Sequence, residues 1–382
     1  MRLRIMNETG LYIHIPYCKR KCTYCNFHFS TQFSNKQQLI AALIQEIQER
    51  AIDAEGKDVK TIYFGGGTPS VLGEEEMAQI FEVIHNSYIV SNNAEITLEA
   101  NPDDLTKDYL HILKNQGINR LSIGIQSFVD EHLVWMNRSH DAMQSHQAIQ
   151  DALSIGFTNL SCDLIYGIPM CTDNQWMDNL SLINAYQVPH LSAYALTVED
   201  KTLLSQDIKK NNISPLKDDH TIGQMDMLLD WVVPNQFEAY EISNFAKAGM
   251  RSKHNSSYWT GNHYLGFGPS AHSYDGQRRQ WNISNNTLYI HAIQNKLPYS
   301  EFENLSKKEK FNEYIMLQLR RIEGLNFTII QEEFPEYASK CLATLNGMVE
   351  EELLNNSGNR FTLTRSGKHL CDHLSMRLFA ED

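Results

Sequence analysis

The sequence predicts an α/β fold: a partial (βα)6 TIM-like barrel followed by a small helical, winged-helix-like C-terminal module. Three observations lead there. From residue 10 to about residue 200, six short apolar runs alternate with longer stretches of helical period, the signature of a parallel sheet with crossover helices. Six strand–helix units are too few for a closed eight-unit barrel, so the expected barrel is open. From about Asn304 the pattern turns mainly helical, which marks a separate module.

In chain order, residues 11–15 are the first expected strand. Ser34 and Gln37 have capping-box spacing ahead of a helix carrying Leu39, Ile40, Leu43, Ile44 and Ile47 on one face. Residues 61–64 are the second strand and 74–88 the next helix; residues 96–99 are the third strand, followed by a helix over about 106–116. Residues 121–125, 160–165 and 191–196 are the fourth, fifth and sixth strands. Barrels of this kind carry active sites at the carboxyl ends of their strands, so each functional residue is expected to close a strand. A helix with Met225, Leu228, Leu229 and Val232 follows, and residues 237–242 alternate like an additional strand. In the last module Ser306 and Glu309 form a capping box before Phe311, Tyr314, Ile315, Leu319 and Ile322, and Gly324 ends that helix. Further helices are expected over about 337–354 and 365–379, with a short strand at 360–363. The expected boundaries are 1–235 for the barrel, 236–303 for an extension and 304–382 for the helical module.

At 382 residues the chain exceeds the size at which single cores stop growing, and 42% hydrophobic residues are ample for two. No apolar run approaches 18 residues, and the start MRLRIMNETG lacks the apolar region of a signal peptide, so a cytoplasmic location is expected. Seven cysteines, three of them clustered, fit a reducing compartment, with Cys162, Cys171, Cys341 and Cys371 read as core or surface thiols. A net charge of −13 argues against nucleic acid as a partner and makes the last module a lid or packing unit rather than a DNA reader.

The chemistry is concentrated in residues 12–29, YIHIPYCKRKCTYCNFHF. Three residues separate Cys18 from Cys22 and two separate Cys22 from Cys25. A [4Fe–4S] cube has four irons, so three thiolates leave one iron open to a ligand. A zinc site completed by His14 or His28 is the alternative, although zinc sites usually pair cysteines as CxxC. Lys19, Arg20 and Lys21 are expected to lower the thiol pKa values, unless they are a solvated basic turn. The CxxxCxYC stretch resembles the cluster motif of the radical S-adenosylmethionine (SAM) superfamily, and with Asn26 and Phe27 it looks like the coproporphyrinogen dehydrogenase family. That resemblance implies that SAM binds the open iron and that Cys18, Cys22 and Cys25 hold the cluster.

The strand ends extend the likeness. Gly65-Gly66-Gly67-Thr68-Pro69 follows the second strand, is neither a Walker A loop nor GxGxxG, and resembles the GGTP segment that binds the methionine amine of SAM. By resemblance Tyr12, Gly66 and Glu99 contact the cluster-bound SAM, while Gly67, Thr68, Gln126, Arg138 and Asp163 match the lining of a second SAM site; Ala195 is expected to face the same space. Residues 247–259, KAGMRSKHNSSYW, bring a histidine beside basic and aromatic residues, the elements of a haem site. His254 to Trp259 match an HNxxYW motif associated with haem in the haem-chaperone branch of the family; the bland reading is a loop whose aromatics pack on the barrel.

Two functions follow. One is a haem chaperone, with haem as cargo, haem-accepting proteins as partners, peripheral contact at membrane haem proteins, and an oligomeric state left open, a dimer included. The other is an oxygen-independent coproporphyrinogen III dehydrogenase, which decarboxylates propionates through a SAM-derived radical. The dehydrogenase typically has a cysteine where Phe27 stands and a long segment before the first strand, whereas Tyr12 is near the start here. Both features favour the chaperone. A plain electron-transfer protein would have no use for Tyr12, the GGGTP loop or Glu99.

Overall fold

The computed structural model describes residues 8–381, so most of the MRLRIMNETG reading lies outside the described residues. Six strands, β1 (Glu8–Ile15), β2 (Asp58–Gly66), β3 (Ile89–Ala100), β4 (Arg120–Gln126), β5 (Leu160–Tyr166) and β6 (His190–Ala195), lie side by side in chain order and pair in parallel. Between them run α1 (Lys36–Glu49), α2 (Glu74–Ser87), α3 (Lys107–Asn115), α4 (Asp130–Trp135), α5 (Ala142–Ser154) and α6 (Asp173–Ala185). The strands are apolar because helices cover them: all of β4 is buried. Helix starts follow local chemistry, with Thr106 capping α3 and capping boxes at Asp141/Gln144 and Thr172/Gln175. The Ser34/Gln37 box does not form. Helix α1 starts one residue later, from Asn35, whose side-chain oxygen is taken by the Tyr17 hydroxyl at 2.8 Å.

After β6 come α7 (Leu203–Lys209) and α8 (Asp218–Val232). The expected strand over 237–242 is instead a hairpin, β7 (Phe237–Ala239) and β8 (Asn244–Lys247), of which β8 pairs antiparallel with β6. Glu241 breaks the strand by accepting from the Ser243 N–H at 2.9 Å and from the Asn244 amide, which turns the chain. The short helix α9 (Lys253–Trp259) follows, and β9 (Tyr264–Phe267) then pairs in parallel with β1. β10 (His272–Tyr274), β11 (Arg278–Asn282) and β12 (Ser300–Asn304) extend that side as antiparallel neighbours, with α10 (Asn286–Gln294) between the last two. The sheet therefore has twelve strands among the described residues and is open, with β12 and β7 at its edges. Buried Glu46 of α1 ties the extension down: it accepts from Tyr289 at 2.6 Å, from Asn282 and the Gly268 N–H at 2.8 Å, and from Arg50 at 3.2 Å.

The C-terminal module comprises α11 (Lys307–Leu319), β13 (Leu325–Asn326), α12 (Phe327–Glu333), α13 (Pro335–Glu350), β14 (Leu354–Ser357), β15 (Arg360–Leu363), α14 (Arg365–His369) and α15 (Cys371–Leu378). The Ser306/Glu309 box caps α11 as expected, but the helix stops at Leu319, and Gly324, with φ of 67°, turns the chain into β13. Its core of Phe311, Ile315, Leu345, Phe361 and Leu374 is separate from that of the barrel. Arg365 docks the module on α8 by reaching Asp226 and Asp230, both at 2.5 Å, and the Ile322 N–H donates to the Tyr240 carbonyl at 3.1 Å. Among the described residues, no helix is long and apolar enough to cross a membrane.

Candidate cofactor site

The three cysteines stand on the loop leaving β1, and backbone hydrogen bonds set its shape. Cys18 N–H donates to the Ser30 carbonyl at 3.0 Å, Ser30 N–H to Pro16 at 2.9 Å, Thr23 N–H to Met136 at 3.1 Å and Cys25 N–H to Cys22 at 3.4 Å. The thiols are free and half-buried, and all three line one cavity of about 790 Å³. The histidines of the zinc alternative are engaged elsewhere: the His14 ring pairs with the His28 carbonyl at 3.0 Å and the Tyr12 hydroxyl at 3.3 Å, and His28 pairs with Asn286 at 2.8 Å. Among the described residues no three His, Cys, Asp or Glu side chains converge on a point that would hold a single ion. Three thiols around a shared space suit a cube, where each sulfur takes its own iron.

Of the loop's basic residues only Lys21 pulls a thiol pKa down, at Cys25, and burial outweighs it. Burial pushes the Cys18 thiol up to about 12, against a hydrogen bond from Thr68 at 3.3 Å, and burial raises Cys25 as well. Lys19 turns outward to Asp103 and Asp104, and Arg20 donates to the Arg138 carbonyl at 3.2 Å. The cation that meets a thiol comes from far along the chain. Arg138 folds back from the turn after α4 to place a guanidinium nitrogen 3.3 Å from Cys22 Sγ, while it donates to Asn101 at 2.7 Å and the Gly124 carbonyl at 2.8 Å.

Gly66, Gly67, Thr68, Glu99, Gln126, Arg138, Asp163 and Ala195 line the same cavity. Gly66 and Gln126 close β2 and β4, and Gln126 is held at φ of 65°, a left-handed strain of about 1–3 kcal/mol of the kind found at ligand-facing positions. Asp163 and Tyr12 lie inside their strands rather than at the ends, because inward side chains of a barrel stack in layers at several heights. Gly66 and Gly67 are required by close packing on β1: a Cβ on Gly67 would lie 2.8 Å from backbone atoms of Ile15 and Tyr17, and one on Gly66 would lie 2.6 Å from the His14 ring. Both glycines also line the cavity beside the cysteines, so a small ligand there meets peptide groups with no side chain in front of them, which fits SAM.

Two of the sequence-predicted residues are not in the cavity. Tyr12 stacks on Tyr63, ring centroids 6.1 Å apart. His254, on α9, is 1% exposed; its Nδ1 pairs with Thr61 at 2.7 Å, its Nε2 with Tyr258 at 2.8 Å, and its ring stacks 4.9 Å from Tyr63. Burial lowers its pKa to about 3, so the imidazole is neutral, and neither nitrogen is free in this packing. Sequence reasoning missed Arg320, Lys368 and His373, which the C-terminal module contributes to the cavity. The KHLCDH run at residues 368–373 was the available signal.

Glu99 carries the clearest electrostatic signature. Burial raises its pKa from 4.5 to about 7, Asp163 adds to the rise, and the Tyr63 hydroxyl at 2.7 Å and the Gly66 N–H oppose it. A carboxyl with a raised folded pKa stabilises the fold fully below about pH 4.5 and loses that contribution as pH climbs to about 7. The expected loss is about 2–3 kcal/mol, allowing for water in the cavity that it faces. Urea unfolding of cluster-free protein at pH 5 and pH 8 should show this fall, and Glu99→Gln should flatten it; an unaltered slope would clear Glu99 of the effect.

The Radical SAM superfamily model matches residues 12–183, and the HemN C-terminal domain model matches residues 305–370. Over its full length the chain is similar to proteins named Heme chaperone HemW: 34% identity to that of Bacillus subtilis (strain 168), covering 94% of this chain and 96% of the relative. The chain belongs to the HemW family of the radical SAM superfamily. A second HemW relative, from Mycobacterium tuberculosis (strain ATCC 25618 / H37Rv), is 30% identical over 95% of this chain and 93% of its own. The chain's fold is similar to that of coproporphyrinogen III oxidase (HemN) from Escherichia coli: TM-score 0.84 at 22% identity, covering 99% of this chain and 92% of the other.

Proposed function

We propose that the chain is a cytoplasmic haem chaperone that holds haem and delivers it to acceptor proteins, including those at membranes, with Cys18, Cys22 and Cys25 carrying a SAM-ligated [4Fe–4S] cluster. The observation that carries this reading is the full-length similarity to proteins named Heme chaperone HemW, across barrel and C-terminal module alike. Phe27, standing where the dehydrogenases resembled here typically have a further cysteine, agrees with it.

When bound, the cluster supplies an open iron that can take the amino and carboxylate groups of SAM. The chain's own residues do the positioning. Gly66 and Gly67 offer peptide groups at close range, and Glu99 holds a carboxyl at the wall beside them. Arg138 sets a fixed positive charge against Cys22, which offsets thiolate charge in a poorly solvated place. Gln126, Thr68 and Asp163, which by resemblance match a second SAM site, complete the lining.

The test is anaerobic. Reconstituted protein receives SAM, a reductant and coproporphyrinogen III, and porphyrins and 5′-deoxyadenosine are separated chromatographically. No decarboxylated porphyrin is the expected result, with stoichiometric binding when the same protein is titrated separately with haem. Decarboxylation over many turnovers would make the protein a dehydrogenase and overturn the chaperone reading.

A further inference from the structure

We infer that Arg120 is a positioning residue of the cofactor site: from one layer below the cavity it supplies the positive charge that holds Glu99 and Asp163 ionised, without touching either. Its consequence for ligand binding rests on the SAM reading; the charge arrangement itself does not.

Strand alternation puts Arg120 inside the barrel. Side chains two apart on a strand share a face, and Ser122 and Gly124 of β4, like Glu99 of β3 and Asp163 of β5, line the cavity. Arg120 precedes them on that face, and the register sets it beside Thr97, one step below the pair Glu99 and Ser122. Ser122 in turn donates to Asp163 at 3.2 Å. Arg120 is 1% exposed, makes no ion pair among the described residues, and its Nε has no acceptor; the Thr97 hydroxyl has no partner either. Arg50, the other buried arginine among the described residues, reaches Glu46 and Asp53. A guanidinium taken out of water without a direct partner is costly, and the charges that can offset it at longer range are the carboxylates above it.

The influence runs both ways. Burial raises the pKa of Glu99 and of Asp163, and Arg120 pulls both back. The other titratable groups that face Glu99 carry no charge near neutrality: burial holds Tyr12, Tyr63, Tyr194 and Tyr258 above their ordinary range and leaves His254, stacked behind Tyr63, neutral. Arg138 acts on Asp163 from the cysteine side. Glu95, one step the other way along β3, accepts from the His254 N–H at 3.1 Å and is the rival partner for Arg120. Two ionised carboxylates in a place poor in water favour a cationic ligand, and SAM carries both a sulfonium and an ammonium. Arg120 thus sets the pH range over which the site can take SAM.

The experiment is urea unfolding of the cluster-free full chain from pH 5 to pH 9, with Arg120→Met, Arg120→Gln and Arg120→Lys. A raised carboxyl pKa costs stability as pH climbs through it, and without the guanidinium that climb ends higher. Arg120→Met should therefore fall further than wild type and level off about one pH unit higher. Arg120→Gln should do the same, and serves if the methionine variant does not fold; Arg120→Lys, which keeps the charge, should follow wild type. Matching profiles in all four proteins would make Arg120 purely structural and overturn the assignment. With Glu99→Gln and Asp163→Asn both in place, Arg120→Met should no longer move the profile; a shift as large as before would give the charge to Glu95 and overturn it as well. Equilibrium binding of SAM to reconstituted protein adds the ligand. Glu99 is half-ionised at about pH 7, so Arg120→Met should weaken SAM about five-fold there and hardly at pH 8.5. Wild-type holoprotein that bound no SAM, with the unfolding profiles as expected, would sink the SAM reading and leave the charge arrangement standing.

Discussion

Alanine at Cys18, Cys22 or Cys25 will give a folded chain that takes up less than about a tenth of the wild-type iron on anaerobic reconstitution; loss of an outer-shell partner alone typically costs 10–100-fold in metal affinity, and here a ligand itself is lost. The fold should survive because the loop is shaped by its peptide groups: Cys18 and Ser30, Ser30 and Pro16, Thr23 and Met136 are joined through backbone atoms that alanine keeps. Half-buried thiols also contribute little packing, so Cys18→Ala and Cys25→Ala should cost within about 1 kcal/mol. Cys22→Ala should cost more, about 1–3 kcal/mol, because it leaves the Arg138 guanidinium short of an acceptor when its Nε already has none. Cys341→Ala is the contrasting variant. That thiol lies in the core of the C-terminal module, where burial pushes it up to about 12, so its loss should lower stability and leave the cluster alone. Iron and sulfide analysis with visible absorbance reads the outcome, and a cysteine variant that retained the full cluster would remove that residue from the ligand set.

What could be read from the chain beforehand divides along physical lines. The six parallel strands were visible because buried strands are apolar throughout and their connecting helices keep a 3.6-residue period, both local properties. The cluster loop and GGGTP were visible because their residues are close in sequence. Contacts between distant segments left no such trace. Lys19, Arg20 and Lys21 were assigned to the thiols because they adjoin them; Lys21 does lower Cys25, yet the loop turns Lys19 towards Asp103 and Asp104, and the cation at Cys22 comes from Arg138. The hairpin at β7 and β8 was hidden because Glu241 turns the chain inside what reads as one alternating run. Helix α12 and strand β14 were missed because each is short and takes its pairing from β15 or its packing from α13. The roof of the cavity was missed for the same reason: nothing in KHLCDH says which surface it will face.

Gly67→Ala should be a strongly damaging single-methyl change at the cavity, costing about 2–4 kcal/mol and much of the cluster with it. Its Cβ would sit 2.8 Å from the Ile15 oxygen and from the Tyr17 nitrogen and oxygen, all of them backbone atoms with no rotamer to change. Relief requires the end of β1 to part from the glycine loop, which breaks the hydrogen bond from the Gly67 N–H to the Ile15 carbonyl at 2.9 Å. Cys18 follows Tyr17 directly, and Thr68 donates to its sulfur at 3.3 Å, so the same displacement separates one of the proposed cluster ligands from the loop that supports it. Gly347→Ala, in α13 with open space around the new methyl, should instead stabilise by about 0.5–1 kcal/mol, since alanine restricts the unfolded chain and suits a helix better. Chemical denaturation of both cluster-free variants separates the two mechanisms. A Gly67→Ala protein as stable as wild type, with full iron uptake, would show that β1 and the glycine loop can slide apart at little cost, and the close backbone approach would then have no bearing on how the cofactor is held.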